Sequence, residues 1–535
     1  MTGSSIESAA MGKVLIADNV SEECARILTE GGIEVDNRGK MTQEELKEAI
    51  GDYEGLVVRS AVKVTADIIA AAPKLKIVGR AGIGVDNIDQ EAATKHGVIV
   101  MNTPLGNVTA AAEHALALIL DNSRNVSRAD RSMREGKWAR KENVGVELEG
   151  KTLGIVGLGK IGSRVASYGK TFNMKVLGYD PMLVKERAEV LGVELMELDQ
   201  LLEESDFISL HVPKTEKTLG MIGKDQFKRM KKSARLVNTS RGGVVDEIAL
   251  HEALLEGEIG GAALDVYETE PPAKDHPLLE NTKVTLTPHL AASTEEAQIQ
   301  VARDIGDQFV EYFKKGIVIN ATNLSSVSDA SMAAFLVLSE DLGLIASQLS
   351  DGKVECVEVT YMGQVSKFDT SSILQAAIKG ALYPSIGDQI NVVNARVKAK
   401  ELGVEVVETR RKDALNYKSL LSVRVKTDQS DKTAHGTLFE EREPRITRIN
   451  MLDIDLRPSR NMLYMQYSDV PGMVGKIGTI LGEHEVNIAR MEVGRVKQGD
   501  QAVILLTLDD PASKESLEAL KTSIHPTDLR SITIS

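Results

Sequence analysis

The chain has 535 residues, 42% of them hydrophobic and 27% charged, with a formal net charge of −14. This composition is ordinary for a soluble globular protein, and the length exceeds what one hydrophobic core supports, so three or four domains are expected. The acidity and the 4% aromatic content exclude a general attraction for nucleic acid or anionic membranes, so any anionic ligand must be held by a local cluster of cations.

Residues 1–11 read as a small polar tail with Met11 as an alternative start, and Met1-Thr2-Gly3-Ser4-Ser5 lacks the basic and apolar regions of a secretory signal. No stretch approaches the roughly 18 apolar residues of a spanning helix. Cys24 and Cys356 make no metal or disulfide spacing, so the expectations are a reducing cytoplasmic setting and no metal. From 13 to 120, short aliphatic runs at 14–17, 55–58, 77–78 and 98–101 alternate with helical patterns, the rhythm of a parallel sheet. A helical stretch at 109–123 leads into a second such unit at 151–289, with strands near 153, 176, 207, 235, 261 and 284. Beyond about 320 the texture changes: strands are expected at 354–362, 404–408, 420–426 and 446–456, with a helix at 372–381. The end reads strand 462–467, helix 474–483, strands 488–493 and 502–508, helix 514–522 and strand 531–533, a ferredoxin-like βαββαβ order suited to regulation. The fold class is α/β: two doubly wound Rossmann-like domains followed by two smaller α+β domains.

The most informative segment is Gly154-Ile155-Val156-Gly157-Leu158-Gly159-Lys160-Ile161-Gly162, with Asp180 following 18 residues after its last glycine. An apolar strand runs into spaced glycines and a helix. Gly157 and Gly159 allow a tight turn against a pyrophosphate, Gly162 allows the helix to pack close on the sheet, and the helix N-terminus faces the anion. Asp180, at the end of the next strand, suits a ribose diol and repels an added 2′-phosphate, which favours NAD over NADP.

In open parallel sheets ligands collect at the carboxyl ends of strands, and the polar residues fall there. They are Gly157, Asp180, His211, Asn238-Thr239-Ser240-Arg241, Asp265 and Pro288-His289 in the second unit, and Asp18, Arg59, Ser60, Arg80 and Asn102 in the first. A nicotinamide enzyme acting on an alcohol needs a base, a cation for the substrate and a group that tunes the base. His289 is the candidate base. Arg241, flanked by Gly242-Gly243, can grip a carboxylate with two hydrogen bonds. Glu270, just before Pro271-Pro272, can be aimed at His289 by the turn there. Arg59, Ser60, Lys63 and Arg80 are enough to neutralise a phosphate group. Against these stand plainer assignments: surface or capping roles for His96, His251, His276, His435, His484 and His525, core packing for His114, and solvated charge for any single arginine.

Taken together, Arg80 to Asn87, the Gly157 to Gly162 loop, His211-Val212-Pro213, Asn238 to Gly243, Asp265-Val266 with Glu270-Pro271, and Thr287 to Thr294 resemble the D-2-hydroxyacid dehydrogenase family. Tyr467-Ser468-Asp469-Val470-Pro471-Gly472 resembles an ACT regulatory domain, as in the long, four-part members. The resemblance runs from about residue 12 to the end. It implies a discontinuous substrate-binding domain (12–107 and 290–320), an NAD-binding domain (108–289), an intervening domain (321–458) and an ACT domain (459–535). It implies that Arg241, Glu270 and His289 are catalytic and that Asp265 holds the nicotinamide carboxamide. Cofactor contacts are implied for Lys160, Ile161, His211, Val212, Pro213, Thr239, Ser240 and the backbone of His289, Leu290, Ala291 and Ala292. Asn102 joins Arg59, Ser60 and Arg80 on the substrate side, and Arg140 reaches a neighbouring subunit.

The reaction so implied is oxidation of 3-phospho-D-glycerate to 3-phosphohydroxypyruvate with NAD, the first step of serine synthesis. L-serine is the implied effector, bound at Tyr467, Asp469 and Asn487 between paired ACT domains of a homotetramer. Lys432, Arg442, Arg445 and Arg448 are candidates for a second anion site in the intervening region, with solvated charge as the plainer account. Two alternatives share the scaffold: a glyoxylate or hydroxypyruvate reductase, and an NAD-sensing binding protein.

Overall fold

In the computed structural model, which describes residues 11–324, 330–450, 452–495 and 501–534, the chain forms four sheets. Apart from Met11, the expected N-terminal tail lies outside the described residues. The first sheet holds β1 (Lys13–Ile16), β2 (Glu34–Asn37), β3 (Gly55–Val58), β4 (Ile77–Arg80) and β5 (Ile99–Met101), all parallel in the order β2-β1-β3-β4-β5. Residues of β1, β3 and β4 are buried on both faces, which is why those strands read as unbroken apolar runs. One face is covered by the helix Glu295–Lys315, whose Val301, Ala302, Ile305 and Phe309 pack against Val14, Val57 and Ile77. The chain thus returns to its first unit after leaving the second.

The helix Val108–Arg124 crosses to the second sheet. Its strands are β6 (Thr152–Val156), β7 (Lys175–Tyr179), β8 (Glu194–Leu195), β9 (Phe207–Leu210), β10 (Arg235–Asn238), β11 (Gly261–Leu264) and β12 (Val284–Leu286). They are parallel in the order β12-β11-β10-β9-β6-β7-β8. Strand order reverses between β6 and β9, the switch point at which such sheets bind ligands.

The third sheet, order β14-β13-β15-β16-β17-β18, is mostly antiparallel. It comprises β13 (Val354–Gly363), β14 (Glu405–Arg411), β15 (Ser419–Thr427), β16 (Asp431–Phe439), β17 (Glu443–Ile449) and β18 (Leu452–Leu456). The strand expected at 446–456 is two strands, because the chain reverses at Asn450, whose φ of 52° is left-handed. The fourth sheet, order β20-β21-β19-β22, has β19 (Asn461–Ser468), β20 (Ile488–Arg495), β21 (Gln501–Leu508) and β22 (Asp528–Thr533), with the helices Met473–Glu483 and Lys514–Ile524. Those helices cover one face through Leu463, Met465, Ile504 and Leu506. The other face, with Met462, Tyr464, Val503 and Leu505, shares a single core with the helix Ala330–Gln348 and the third sheet.

No helix among the described residues is long and apolar enough to cross a membrane, and no group of three or more His, Cys, Asp or Glu there could hold a metal ion.

Candidate active site

The glycine loop follows β6. Gly157 has φ 93°, and a Cβ on it would lie 2.5 Å from the His211 carbonyl oxygen, so only glycine fits between β6 and the chain leaving β9. A Cβ on Gly162 would meet the Gly157 oxygen at 1.9 Å, which sets how close the helix Lys160–Thr171 approaches the sheet. Gly159 caps that helix without a side-chain acceptor, and the space where its Cβ would be is open for 4 Å. Lys160 is exposed and Ile161 half-buried at the helix entry. A bare, open N-terminus on a helix of 12 residues fits a pyrophosphate.

Asp180, just past β7, accepts from Leu158 N–H and Met182 N–H, both at 2.9 Å, and so stands beside the glycine loop. His211 and Val212 wall the other side, and Pro213 leads the chain out to the surface. Removal from water pushes the His211 imidazole down to about 4, so the ring is neutral, with Ser209 Oγ 2.9 Å from its Nε2. Past β10, Ser240 donates to Asn238 Oδ1 at 2.7 Å, while the buried Thr239 hydroxyl has no partner among the described residues.

Asp265, fully buried after β11, accepts from Thr287 Oγ1 (2.6 Å), Leu290 N–H (2.7 Å) and Ala291 N–H (2.9 Å). Burial opposes its ionisation, but these bonds, together with His114 at 3.2 Å, hold the carboxyl below its usual range. The amides of Leu290 and Ala291 are therefore engaged by Asp265, which fixes the turn His289–Ala292. His114, assigned to core packing from the sequence, is half-buried and lies 3.2 Å from both Asp265 Oδ1 and Thr287 Oγ1. That contact was hidden in an apolar helical pattern, since nothing local marks a partner 151 residues away.

His289 follows β12 with a left-handed φ of 54°. Its Nδ1 is 2.7 Å from Glu270 Oε2, and Glu270 Oε1 accepts from Tyr267 N–H at 3.1 Å. Burial works against ionisation of Glu270, but the bond and charge of His289 and the Tyr267 amide outweigh it and hold the carboxyl below its usual range. With Nδ1 engaged, Nε2 is the atom left for a substrate.

Arg241 reaches across from the second sheet to the first: its Nε donates to Asp86 Oδ2 at 2.9 Å and its Nη1 to the Ser240 carbonyl at 2.7 Å. A Cβ on Gly84 would lie 2.0 Å from Arg241 Nη2, so the loop after β4 is bare where the guanidinium rests on it. Arg80 folds over the same loop. Desolvation, then repulsion from Arg241 and Arg59, pushes Arg80 down to about 10, and its buried Nε has no partner among the described residues. Asp18 is structural: its buried carboxylate accepts from the amides of Arg59, Ala61 and Val62 at 2.9–3.1 Å and shapes the loop carrying Arg59 and the exposed Ser60. Lys63 is exposed further along that loop. Asn102 donates to the Ile83 carbonyl at 2.5 Å, tying β5 to the loop of Asp86.

Three implied groups lie elsewhere. Arg140 is exposed on the segment 135–147 and, among the described residues, shares no hydrogen bond or ion pair with the cleft. Tyr467 is buried in the fourth-sheet core, with the charge of Asp469 close enough to disfavour its ionisation further. Asn487 is exposed and donates to Asp509 Oδ2 at 2.5 Å. In the third sheet, Arg448 donates to Asp453 at 2.6 Å, while the half-buried Arg445, whose Nε has no partner among the described residues, pairs with Glu443 and Asp455.

A dinucleotide loop, an imidazole oriented by a carboxylate and a guanidinium spanning two parallel sheets define a nicotinamide-linked dehydrogenase of 2-hydroxy acids. Residues 116–291 match the NAD binding domain of the D-isomer specific 2-hydroxyacid dehydrogenases, 331–450 the D-3-phosphoglycerate dehydrogenase intervening domain, and 461–524 the ACT domain. The D-3-phosphoglycerate dehydrogenase of Archaeoglobus fulgidus is 44% identical over 513 residues, 95% of this chain and 97% of that one. That of Bacillus subtilis is 40% identical over 503 residues, 93% and 95% of the two chains. Among solved structures, a D-lactate dehydrogenase from Aquifex aeolicus complexed with NAD and lactic acid aligns with TM-score 0.50 at 32% identity, over 57% of this chain and 96% of that one. A glyoxylate reductase from Paecilomyes thermophila aligns with TM-score 0.54 at 27% identity, over 58% and 98%. The chain belongs to the D-3-phosphoglycerate dehydrogenase family.

Proposed function

We propose that this chain oxidises 3-phospho-D-glycerate to 3-phosphohydroxypyruvate with NAD, the step that opens serine synthesis. Bound NAD supplies the hydride acceptor. Arg241 exchanges Asp86 for the substrate carboxylate, and its planar fork fixes C2 beside His289. His289 Nε2 takes the C2 hydroxyl proton as the hydride leaves, and the ionised Glu270, 2.7 Å from Nδ1, offsets the charge that develops on the ring. NAD would be held by the loop Gly157, Gly159 and Gly162 with Lys160, Ile161, His211, Val212 and Pro213, by Asp180 at the ribose, and by Thr239 with the turn that Asp265 fixes at the nicotinamide amide.

The observation that carries the substrate is Arg80, a guanidinium largely withdrawn from water with an unpartnered Nε, flanked by Arg59 and Arg241. Asp86 and Asp18 offset that charge only in part, and a phosphate would satisfy it together with Arg59, Ser60 and Lys63 where a neutral tail would not. Comparing kcat/KM for 3-phospho-D-glycerate and D-glycerate tests this; equal values refute it.

In the same reading L-serine is the effector, held at Asp469 and Asn487 between ACT domains of neighbouring subunits, with Tyr467 buried in the adjoining sheet core. The assembly is a homotetramer in which Arg140 serves a neighbour's site. The exposure of Trp138 (80%), Val144 (74%) and Met133 (54%) around Arg140 supports burial of that arm by another copy. The domain division is 12–107 with 290–320, 108–289, 321–458 and 459–535. The unpaired cysteines suit a cytoplasmic enzyme.

A further inference from the structure

Glu270 sits on an exposed turn, yet its carboxylate meets His289 at 2.7 Å. What holds that turn comes from outside it. Glu247, in the first turn of the helix Glu247–Glu256, is a buried carboxylate whose Oε1 accepts from the Glu268 amide at 2.6 Å. Its Oε2 is 3.0 Å from His276 Nε2. His276 Nδ1 accepts from Leu278 N–H, which leaves the proton on Nε2 and makes that nitrogen a donor to Glu247. Beneath the turn, a Cβ on Gly242 would lie 1.7 Å from the Tyr267 oxygen, so the peptide between Tyr267 and Glu268 rests directly on the backbone that follows Arg241. Tyr267 OH, in turn, donates to the Thr287 carbonyl, two residues before His289, at 3.0 Å.

We propose that Glu247, oriented by His276, is a positioning residue for the hydride-transfer site: it clamps the Glu268 amide and thereby fixes the direction from which Glu270 meets His289. Neither Glu247 nor His276 touches the reacting atoms. A buried carboxylate is costly unless its oxygens are satisfied, and burial does push Glu247 upward. Its two partners, the Glu268 amide and His276, tie the core helix to the turn that bears the catalytic carboxylate. This assignment rests on the base reading of Glu270 and His289, and the experiment separates the two.

The test is a double-mutant cycle in the full-length enzyme with 3-phospho-D-glycerate and NAD. Glu247→Ala is expected to lower kcat about tenfold, the order seen when a partner behind a functional group is removed, with KM for NAD within about twofold. Glu247→Gln, whose amide oxygen still accepts from Glu268 N–H, recovers most of that loss. In the Glu270→Ala background, Glu247→Ala adds no further loss, because its effect passes through Glu270. If Glu247→Ala does not fold, His276→Gln enters the cycle in its place. Additive losses, or a Glu247→Ala enzyme with unchanged kcat, overturn the positioning role alone. A Glu270→Ala enzyme with wild-type kcat overturns the base assignment and this inference with it.

Discussion

Replacing Arg80 with Met keeps an unbranched stem and removes one charge, and the consequences for stability and catalysis have opposite signs. In the free protein the guanidinium is pushed down to about 10, chiefly by desolvation and secondarily by Arg241, a fall that corresponds to a penalty of ~3 kcal/mol. At neutral pH the group is charged in both folded and unfolded chains, so the penalty is present in full. The unpartnered Nε is part of the same cost and is not counted again. Arg80→Met is therefore expected to raise the melting temperature of the ligand-free enzyme by several degrees, with ~3 kcal/mol as the ceiling. With substrate the sign reverses. Losing a hydrogen bond between charged partners removes ~1.5–3 kcal/mol, a roughly 10- to 150-fold fall in kcat/KM for 3-phospho-D-glycerate. D-glycerate, which has no phosphate for Arg80 to meet, is affected far less. Thermal melts with and without inorganic phosphate, and initial rates of nicotinamide reduction with the two substrates, measure both arms. A variant that melts lower and loses both substrates equally would mean Arg80 is a structural cation, and the phosphate assignment would fall.

Three other outcomes follow from the same geometry. His289→Ala is expected to lower kcat by about 10²- to 10⁴-fold while NAD affinity, measured by calorimetry, stays near wild type; a collapse of affinity instead would make the histidine structural. Asp180→Ala is expected to weaken NAD and relax discrimination against NADP, read from the ratio of kcat/KM for the two cofactors. Asp341, 4% exposed in the helix Ala330–Gln348, is pushed up to about 7 by burial and then by the charge of Glu340. Because its folded value lies above the unfolded one, its stabilising contribution is complete below roughly pH 4 and is lost as pH rises through about 7. Asp341→Asn should therefore stabilise the C-terminal region at alkaline pH, by at most ~4 kcal/mol, and confer no gain below about pH 4 in melts followed across that range.

The parallel strands were legible because burial on two faces demands uninterrupted apolar runs, as at Gly55–Val58 and Thr152–Val156. Strands with polar neighbours were not. Glu34–Asn37 is an edge strand with two exposed and two half-buried residues, and Asp431–Phe439 carries Asp, Lys, Thr and Gly that read as loop. The contact of Glu270 with His289 and the reach of Arg241 to the first sheet were legible because turn chemistry and strand ends coincide at these residues. The contacts of His114 and Glu247 were not, since each meets a partner brought near only by folding: Asp265 for one, the Glu268 amide for the other. Asp18 erred the other way, its strand-end position serving a loop rather than a ligand.

The most direct test of the central claim uses 3-phospho-D-glycerate carrying deuterium at C2, with NAD and the purified enzyme, and follows the label by mass spectrometry of the reduced cofactor. Direct transfer between C2 and the nicotinamide, with the proton going separately to His289, predicts one deuterium in each reduced cofactor formed. Deuterium lost to water, or no reduced cofactor at all, would contradict it.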